Sequence, residues 1–205
     1  MNKIGIIDYG MGNIHSVKKS IENVGGEILL INKKVHIRDC KALVIPGQGA
    51  FDPAIDNLIK TELILDVKDW ISKGNPFLGI CLGLQLLFES SEEGFNRGLG
   101  LVKGKIKKIP PIKKQRIPHI GWCNLIFSKK NKFSSPNSHN NWFYFDHSYH
   151  AVPCERDIIS AYVEYGAINL TAIIEYENLV ACQFHPEKSG KAGEYLLYQW
   201  LRNIK

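Results

Sequence analysis

The sequence predicts an α/β fold: a doubly wound, mostly parallel sheet with an antiparallel extension in the second half. Three observations carry this. The first half alternates short β-branched runs with stretches of helical apolar spacing, a βαβ rhythm that demands parallel strands. Glycine-rich turns close the strand runs, notably Pro46-Gly47-Gln48-Gly49. From Leu101 to Ala181 the pattern changes to short strands divided by turn residues, including Pro110-Pro111, Asn131 to Asn141 and Pro153.

Lys3 to Ile7 is the first strand, and the turn Asp8-Tyr9-Gly10-Met11-Gly12-Asn13 follows it. Ile14, Val17, Ile21 and Val24 then recur at helical spacing until Gly25-Gly26 stops the helix. Ile28 to Ile31 and Ala42 to Ile45 read as the next two strands. Leu58 to Ile71 carries helical periodicity, and Lys73-Gly74-Asn75-Pro76 ends it. Pro76 to Ile80 is an apolar strand run, and Leu82 to Glu89 reads as a helix beginning directly after Cys81. Ser134 to Asn141 is a polar loop. Leu179 to Phe184 is a late buried strand, and a terminal helix carries Ala192, Tyr195, Leu196 and Trp200.

The chain has 205 residues, 44% hydrophobic and 22% charged, which suits one large soluble domain with a sizeable core. No apolar stretch reaches the roughly 18 residues of a membrane span, and the start does not read as a signal peptide. The five cysteines (Cys40, Cys81, Cys123, Cys154, Cys182) are odd in number and scattered. They argue for a reducing compartment and against a disulfide framework. Cys182 and His185 form C-x-x-H without a second half-site, so metal binding is not expected. The net charge of +6 is concentrated in Lys103 to Arg116 and in Lys129, Lys130 and Lys132. Isoleucine and proline, not aromatics, interleave these cations, which points to a strand pair with one solvated face or a partner-docking surface and not to nucleic-acid binding.

Gly79-Ile80-Cys81-Leu82-Gly83 places a thiol at a strand-to-helix bend flanked by residues without side chains. Small residues there permit the strained turn that lifts a nucleophile clear of a sheet. A helix N-terminus beside the sulfur favours the reactive thiolate. A thiolate nucleophile needs a base and a group to orient that base. His185 ends a strand in which Val180, Cys182 and Phe184 alternate with Ala181 and Gln183. Glu187 lies two positions on, on the same side if the backbone stays extended, as Pro186 favours at His185. Cys81, His185 and Glu187 therefore form a candidate nucleophile, base and acid. The N–H of Leu82 is a candidate oxyanion donor, and the Pro46–Gly49 turn a source of a second; each such donor is worth roughly 10²–10³ in rate.

These motifs (Gly79 to Gln85, Phe184-His185-Pro186-Glu187 and Pro-Gly-x-Gly) resemble the class I (triad) glutamine amidotransferases, nearly end to end. Asp8 to Asn13, Pro46 to Phe51, Pro118-His119-Ile120-Gly121-Trp122 and Phe145 to Tyr149 are similar to one branch, the glutaminase subunits of imidazole glycerol phosphate synthase. The resemblance implies a flavodoxin-like sheet, a single amidotransferase domain over 1–205, and glutamine hydrolysis through a glutamyl thioester on Cys81. It implies Gln48 and Leu82 as oxyanion donors, and Gly49, Gln85, Ser148 and Tyr149 as glutamine contacts. It implies no cofactor, and as partner a (β/α)₈-barrel cyclase in a heterodimer that takes the ammonia. Asn13, Trp122 and Lys188 fall where that family meets its cyclase; core packing for Trp122 and a plain surface role for Lys188 are the alternatives. The implied location is the cytoplasm or a plastid stroma.

Two positions depart from the branch. Cys123 stands where asparagine is usual, and Asp146 where valine is common. Two other readings compete: a glutaminase serving another synthase (pyridoxal phosphate, anthranilate or guanylate), and a catalytically silent module on the same fold. The intact Cys81, His185 and Glu187 argue against the second.

Overall fold

The computed structural model describes residues 3–113, 115–128, 133 and 141–204. Lys129, Lys130, Lys132 and most of the Ser134–Asn141 loop lie outside them. In chain order the first half runs β1 (Lys3–Ile7), α1 (Ile14–Asn23), β2 (Glu27–Ile31), β3 (Cys40–Ile45), α2 (Phe51–Lys60), α3 (Ile64–Ser72), β4 (Phe77–Ile80) and α4 (Leu82–Gln85). There follow β5 (Ser90–Ser91), β6 (Gly104–Lys108), β7 (His119–Asn124), β8 (Ile126–Phe127), β9 (Trp142–His147) and β10 (Tyr149–Pro153). The chain closes with β11 (Ile159–Tyr165), β12 (Ile168–Tyr176), β13 (Leu179–Cys182) and α5 (Gly190–Arg202).

The main sheet has the order β2-β1-β3-β4-β13-β12-β11-β8. Its first five strands are mutually parallel, and from β13 through β12 and β11 to β8 the pairing is antiparallel. Period-two alternation sorts the side chains into two cores. Ile4, Ile6, Ala42, Val44, Leu78 and Ile80 face α1 and α5, meeting Val17, Ile21, Leu196 and Trp200. Ile7, Leu43, Ile45 and Phe77 face the other way, against Phe51, Ile55, Leu58, Val67 and Leu84 of α2, α3 and α4. Helices on both faces bury the inner parallel strands β1, β3, β4 and β13 almost completely, which is why those strands read as near-continuous apolar runs, whereas β2 at the sheet edge stays partly exposed. The predicted fold class is the one observed.

Several expectations need correction. The 58–71 periodicity is two helices, broken at Glu62, whose φ is +59°. Leu58, Leu63 and Val67 are all buried, so the apolar rhythm continues across a break that neither glycine nor proline marks. The helix after Cys81 ends at Gln85, not Glu89. Leu86, Leu87 and Phe88 are wholly buried, and their carbonyls accept hydrogen bonds from Leu99, Leu101, Val102 and Gly100 of the following loop. The N–H groups of Leu87 and Phe88 make tighter i→i−3 bonds to Leu84 and Gln85, and that of Glu89 leaves the helix for the Gly104 carbonyl. Among the described residues of the basic stretch only β6 is a strand, paired with β10 and β5, with Lys105 and Lys107 outward and Ile106 inward. In α5 the buried set is Ala192, Gly193, Leu196, Leu197 and Trp200; Tyr195 is only half-buried.

Candidate active site

Three neighbouring parallel strands, β3, β4 and β13, end at the same edge, the place where open α/β sheets form their sites. Each delivers one part. β4 ends in Cys81, β3 runs into Pro46–Gly49, and β13 leads through Gln183 and Phe184 to His185. Cys81 has φ +54° and ψ −107°, a conformation that costs a non-glycine residue about 1–3 kcal/mol. Tertiary packing holds it there. Its N–H donates to the carbonyl of Cys182 at 2.8 Å, and its own carbonyl accepts from Leu84 and Gln85. The bend also requires glycine at 83: a Cβ there would lie 1.9 Å from the Ile45 carbonyl oxygen. Gly47 is equally constrained, since a Cβ would meet Leu82 at 2.6 Å and the Tyr9 hydroxyl at 2.8 Å. The Pro46–Gly49 turn is thus packed directly against the start of α4. Only one helical turn follows Cys81, so the first free N–H groups beside it matter more than any long-helix dipole.

His185 and Glu187 are joined by a hydrogen bond of 2.7 Å from Nδ1 to Oε1. His185 itself is extended, as expected, with φ −102° and ψ 95°, but Pro186–Lys188 is a 3₁₀ turn, and the turn brings Glu187 round to the imidazole. Ser189 fixes this turn, its hydroxyl donating to the His185 carbonyl at 2.6 Å and accepting from the Tyr144 N–H at 3.0 Å. Burial by itself would lower the His185 pKa, but the Cys81 sulfur and the Glu187 carboxylate outweigh it and raise the imidazole to about 10. Nε2 is buried without a hydrogen-bond partner among the described residues.

A cavity of about 330 Å³ opens beside the thiol. Gln48, Gly49, Cys81, Leu82, Gln85, Ser148 and Tyr149 line it together with Glu93, Pro118, Asp146 and His147. Every residue put forward as an oxyanion donor or glutamine contact therefore borders one space. Gln48 and Gly49 are exposed, Gly49 at φ +113°, whereas Leu82 and Gln85 are buried. Asn13, Trp122 and Lys188 lie apart from the cavity. Asn13 caps α1, its Oδ1 accepting from the Ser16 N–H at 3.1 Å. Trp122 is 51% exposed, which removes the core-packing alternative, and its ring meets Tyr144 edge-on. The Lys188 ammonium sits 5.7 Å over the other neighbour of that pair, the Tyr144 ring.

Four contributors escaped the sequence reading. Gln183 is wholly buried and donates from Nε2 to the Cys81 sulfur at 3.7 Å, while its Oε1 accepts from Gln85 at 3.1 Å. A polar residue inside the apolar run Val180–Phe184 was the available signal, because a buried amide needs partners. Tyr9 is buried and donates to the Pro46 carbonyl at 2.8 Å, anchoring the turn; burial, then negative charge at Cys81, raises its pKa. Glu93 accepts from the Phe51 N–H at 3.0 Å, and burial raises its pKa. It sits on a loop with no periodicity to mark it. The fourth is a buried pair, His119 and His147, 3.0 Å apart between ring nitrogens.

The family model "Glutamine amidotransferase class-I" matches residues 5–204. The chain is 62% identical, over all of both sequences, to "Imidazole glycerol phosphate synthase subunit HisH" of Prochlorococcus marinus subsp. pastoris (strain CCMP1986 / NIES-2087 / MED4). The HisH of Prochlorococcus marinus (strain MIT 9312) is likewise 62% identical over 100% of each chain. Among solved structures, PurLQS from Thermotoga maritima superposes with a TM-score of 0.75 at 16% identity, over 100% of this chain and 99% of that one. A glutamine amidotransferase crystal structure reaches 0.70 at 18% identity, covering 97% of each chain. At such identities these structures speak for the fold alone. With a catalytic-type edge of this geometry and full-length relatives at this identity, the chain belongs to the class-I glutamine amidotransferases, in the branch of the HisH subunits of imidazole glycerol phosphate synthase.

Proposed function

We propose that this chain is the glutaminase subunit of an imidazole glycerol phosphate synthase. The observation that carries the reading is Cys81 held at positive φ between β4 and α4, with the His185–Glu187 pair on the end of adjoining β13.

Glutamine enters the cavity with its side-chain amide at the sulfur. Glu93 offers a negative group for the substrate's ammonium, and Gly49, Gln85, Ser148 and Tyr149 hold the rest. His185, held by Glu187, takes the proton of the Cys81 thiol, and Gln183 donates a hydrogen bond to the resulting sulfur anion. The sulfur attacks the amide carbon, and negative charge moves to the amide oxygen, where the N–H groups of Leu82 and Gln48 receive it. His185 returns the proton to the departing nitrogen and ammonia leaves. Glu187 keeps the imidazole oriented throughout. His185 then takes a proton from water, which attacks the thioester and releases glutamate, restoring the thiol.

The ammonia passes to a cyclase subunit with a (β/α)₈ barrel, which makes imidazole glycerol phosphate and an aminoimidazole carboxamide ribotide. Exposed Asn13 and Trp122 and half-buried Lys188 are the residues offered to that partner, in a cytoplasmic heterodimer. Both oxyanion positions border the exposed Gln48–Gly49 turn, so the partner and its ligand complete the site. The test is ammonia release from glutamine with the chain alone, and with the cyclase and its ribonucleotide ligand. Activity is expected to be low alone, to rise sharply on addition, and to vanish in Cys81→Ala. Full activity in Cys81→Ala would sink the reading, and copurification with a synthase lacking a barrel cyclase would redirect it to another acceptor.

A further inference from the structure

A continuous hydrogen-bonded chain links the β7–β9 ribbon to the nucleophile. β7 and β9 pair with His119 opposite His147. His147 Nδ1 lies 2.8 Å from the Tyr149 carbonyl oxygen, and His147 Nε2 lies 3.0 Å from His119 Nδ1. His119 Nε2 lies 3.2 Å from the Cys123 sulfur. On the other side, the same Tyr149 carbonyl accepts from Gln85 Nε2 at 3.1 Å, and that nitrogen also bonds Gln183, which reaches Cys81.

The chemistry of these groups fixes every proton. A carbonyl only accepts, so His147 must donate from Nδ1. A neutral imidazole has one N–H, so His147 Nε2 accepts and His119 Nδ1 donates to it. His119 Nε2 is then also an acceptor, and its neighbour must supply a hydrogen. Cys123 is that neighbour, and only as a protonated thiol. Both rings are buried, and burial holds His119 at a pKa of about 4 and His147 at about 3, so both are neutral near pH 7. Burial likewise raises the Cys123 thiol and keeps its proton in place.

We infer that Cys123 is a positioning residue for the reaction at Cys81: its S–H is the terminal donor that orders His119, His147, the Tyr149 carbonyl, Gln85 and Gln183 around the substrate and the sulfur. The inference rests on the glutaminase reading for its kinetic consequence, but not for its proton order. Cys123 is half-buried and shares the inner face of β7 with His119, opposite to exposed Trp122, so the chain begins under the ribbon and ends at the nucleophile.

Nitrogen-15 imidazole spectra of the full chain at pH 7 read the proton order directly. His119 and His147 are expected as Nδ1–H tautomers with bare Nε2 atoms; an Nε2–H tautomer or an imidazolium at either ring overturns the inference. Steady-state glutaminase kinetics with the cyclase present read the consequence. Losing one ordinary hydrogen bond predicts that Cys123→Ala lowers kcat/KM for glutamine about fivefold, with KM rising more than kcat falls. Cys123→Ser and Cys123→Asn keep a donor and are expected within roughly twofold of the parent. An alanine variant with parental kinetics, or serine and asparagine variants no better than alanine, also overturns it. If even the unsubstituted chain releases no ammonia, the glutaminase reading fails, and the spectra still decide the proton order.

Discussion

Nδ1 of His185 and Oε1 of Glu187 stand 2.7 Å apart, with side chains only 3% and 2% exposed. At that burial an unpaired carboxylate would be expensive, and an isolated imidazolium equally so. Each is tolerable at that burial because the other partners it. Burial and charge oppose one another at His185, and charge wins.

Glu187→Gln removes that charge while keeping the side-chain volume. It is expected to lower kcat/KM for glutamine by about 10³–10⁴, the cost of misorienting a triad base. The His185 pKa is expected to drop from about 10, readable by following its ring signals against pH. An unchanged His185 titration would show that the carboxylate does not hold the imidazole.

Cys81→Ala is expected to abolish ammonia release, a loss of at least about 10⁴-fold when measured with the cyclase present. Removing the thiol also relieves nothing at the backbone, because alanine meets the same cost at φ +54°. Urea unfolding is therefore expected to separate the two effects, with activity lost and stability nearly kept.

Gly83→Ala tests the packing under the bend. The new methyl would overlap the Ile45 carbonyl oxygen, a backbone atom that cannot swing aside. A stability loss at or beyond the upper end of the roughly 1–3 kcal/mol typical of overpacking is expected in urea unfolding. Parental stability would mean that β3 and α4 separate more easily than their contacts imply.

Stability is expected to peak near pH 6.5. The folded pKa of His185, about 10, lies above the ordinary 6.5, so its contribution is present below pH 6.5 and is lost as pH rises toward 10. His119 and His147 have folded values of about 4 and 3, below 6.5, so theirs is present above pH 6.5 and is lost as pH falls toward those values. Urea midpoints measured across this range check both limbs. His185→Gln is expected to flatten the alkaline one, and a stability that climbs from pH 7 to 9 would contradict the account.

Much of this protein is written locally. Alternating apolar runs, separated by glycine-rich turns, determine a doubly wound sheet, because a strand buried on both faces and an amphipathic helix each have one stable way to pack. The elbow is legible too: Gly79 and Gly83 around Cys81 announce a bend that larger residues would block. The tertiary structure alone decided the rest. Glu187 meets His185 through a 3₁₀ turn held by Ser189, not along a strand, since the bonds that shape that turn come from Tyr144, some forty residues away in sequence. The α-helix after Cys81 stops at Gln85, and the next N–H groups turn to i→i−3 bonds and, at Glu89, to the Gly104 carbonyl of β6. Gln183 reaches the sulfur, and His119 meets His147, only once β13 lies beside β4 and β7 beside β9. Spacing along the chain reports which way a side chain leaves its own backbone; which buried donor meets which acceptor is set when strands remote in sequence come into register, and a buried polar group must then find its partner there.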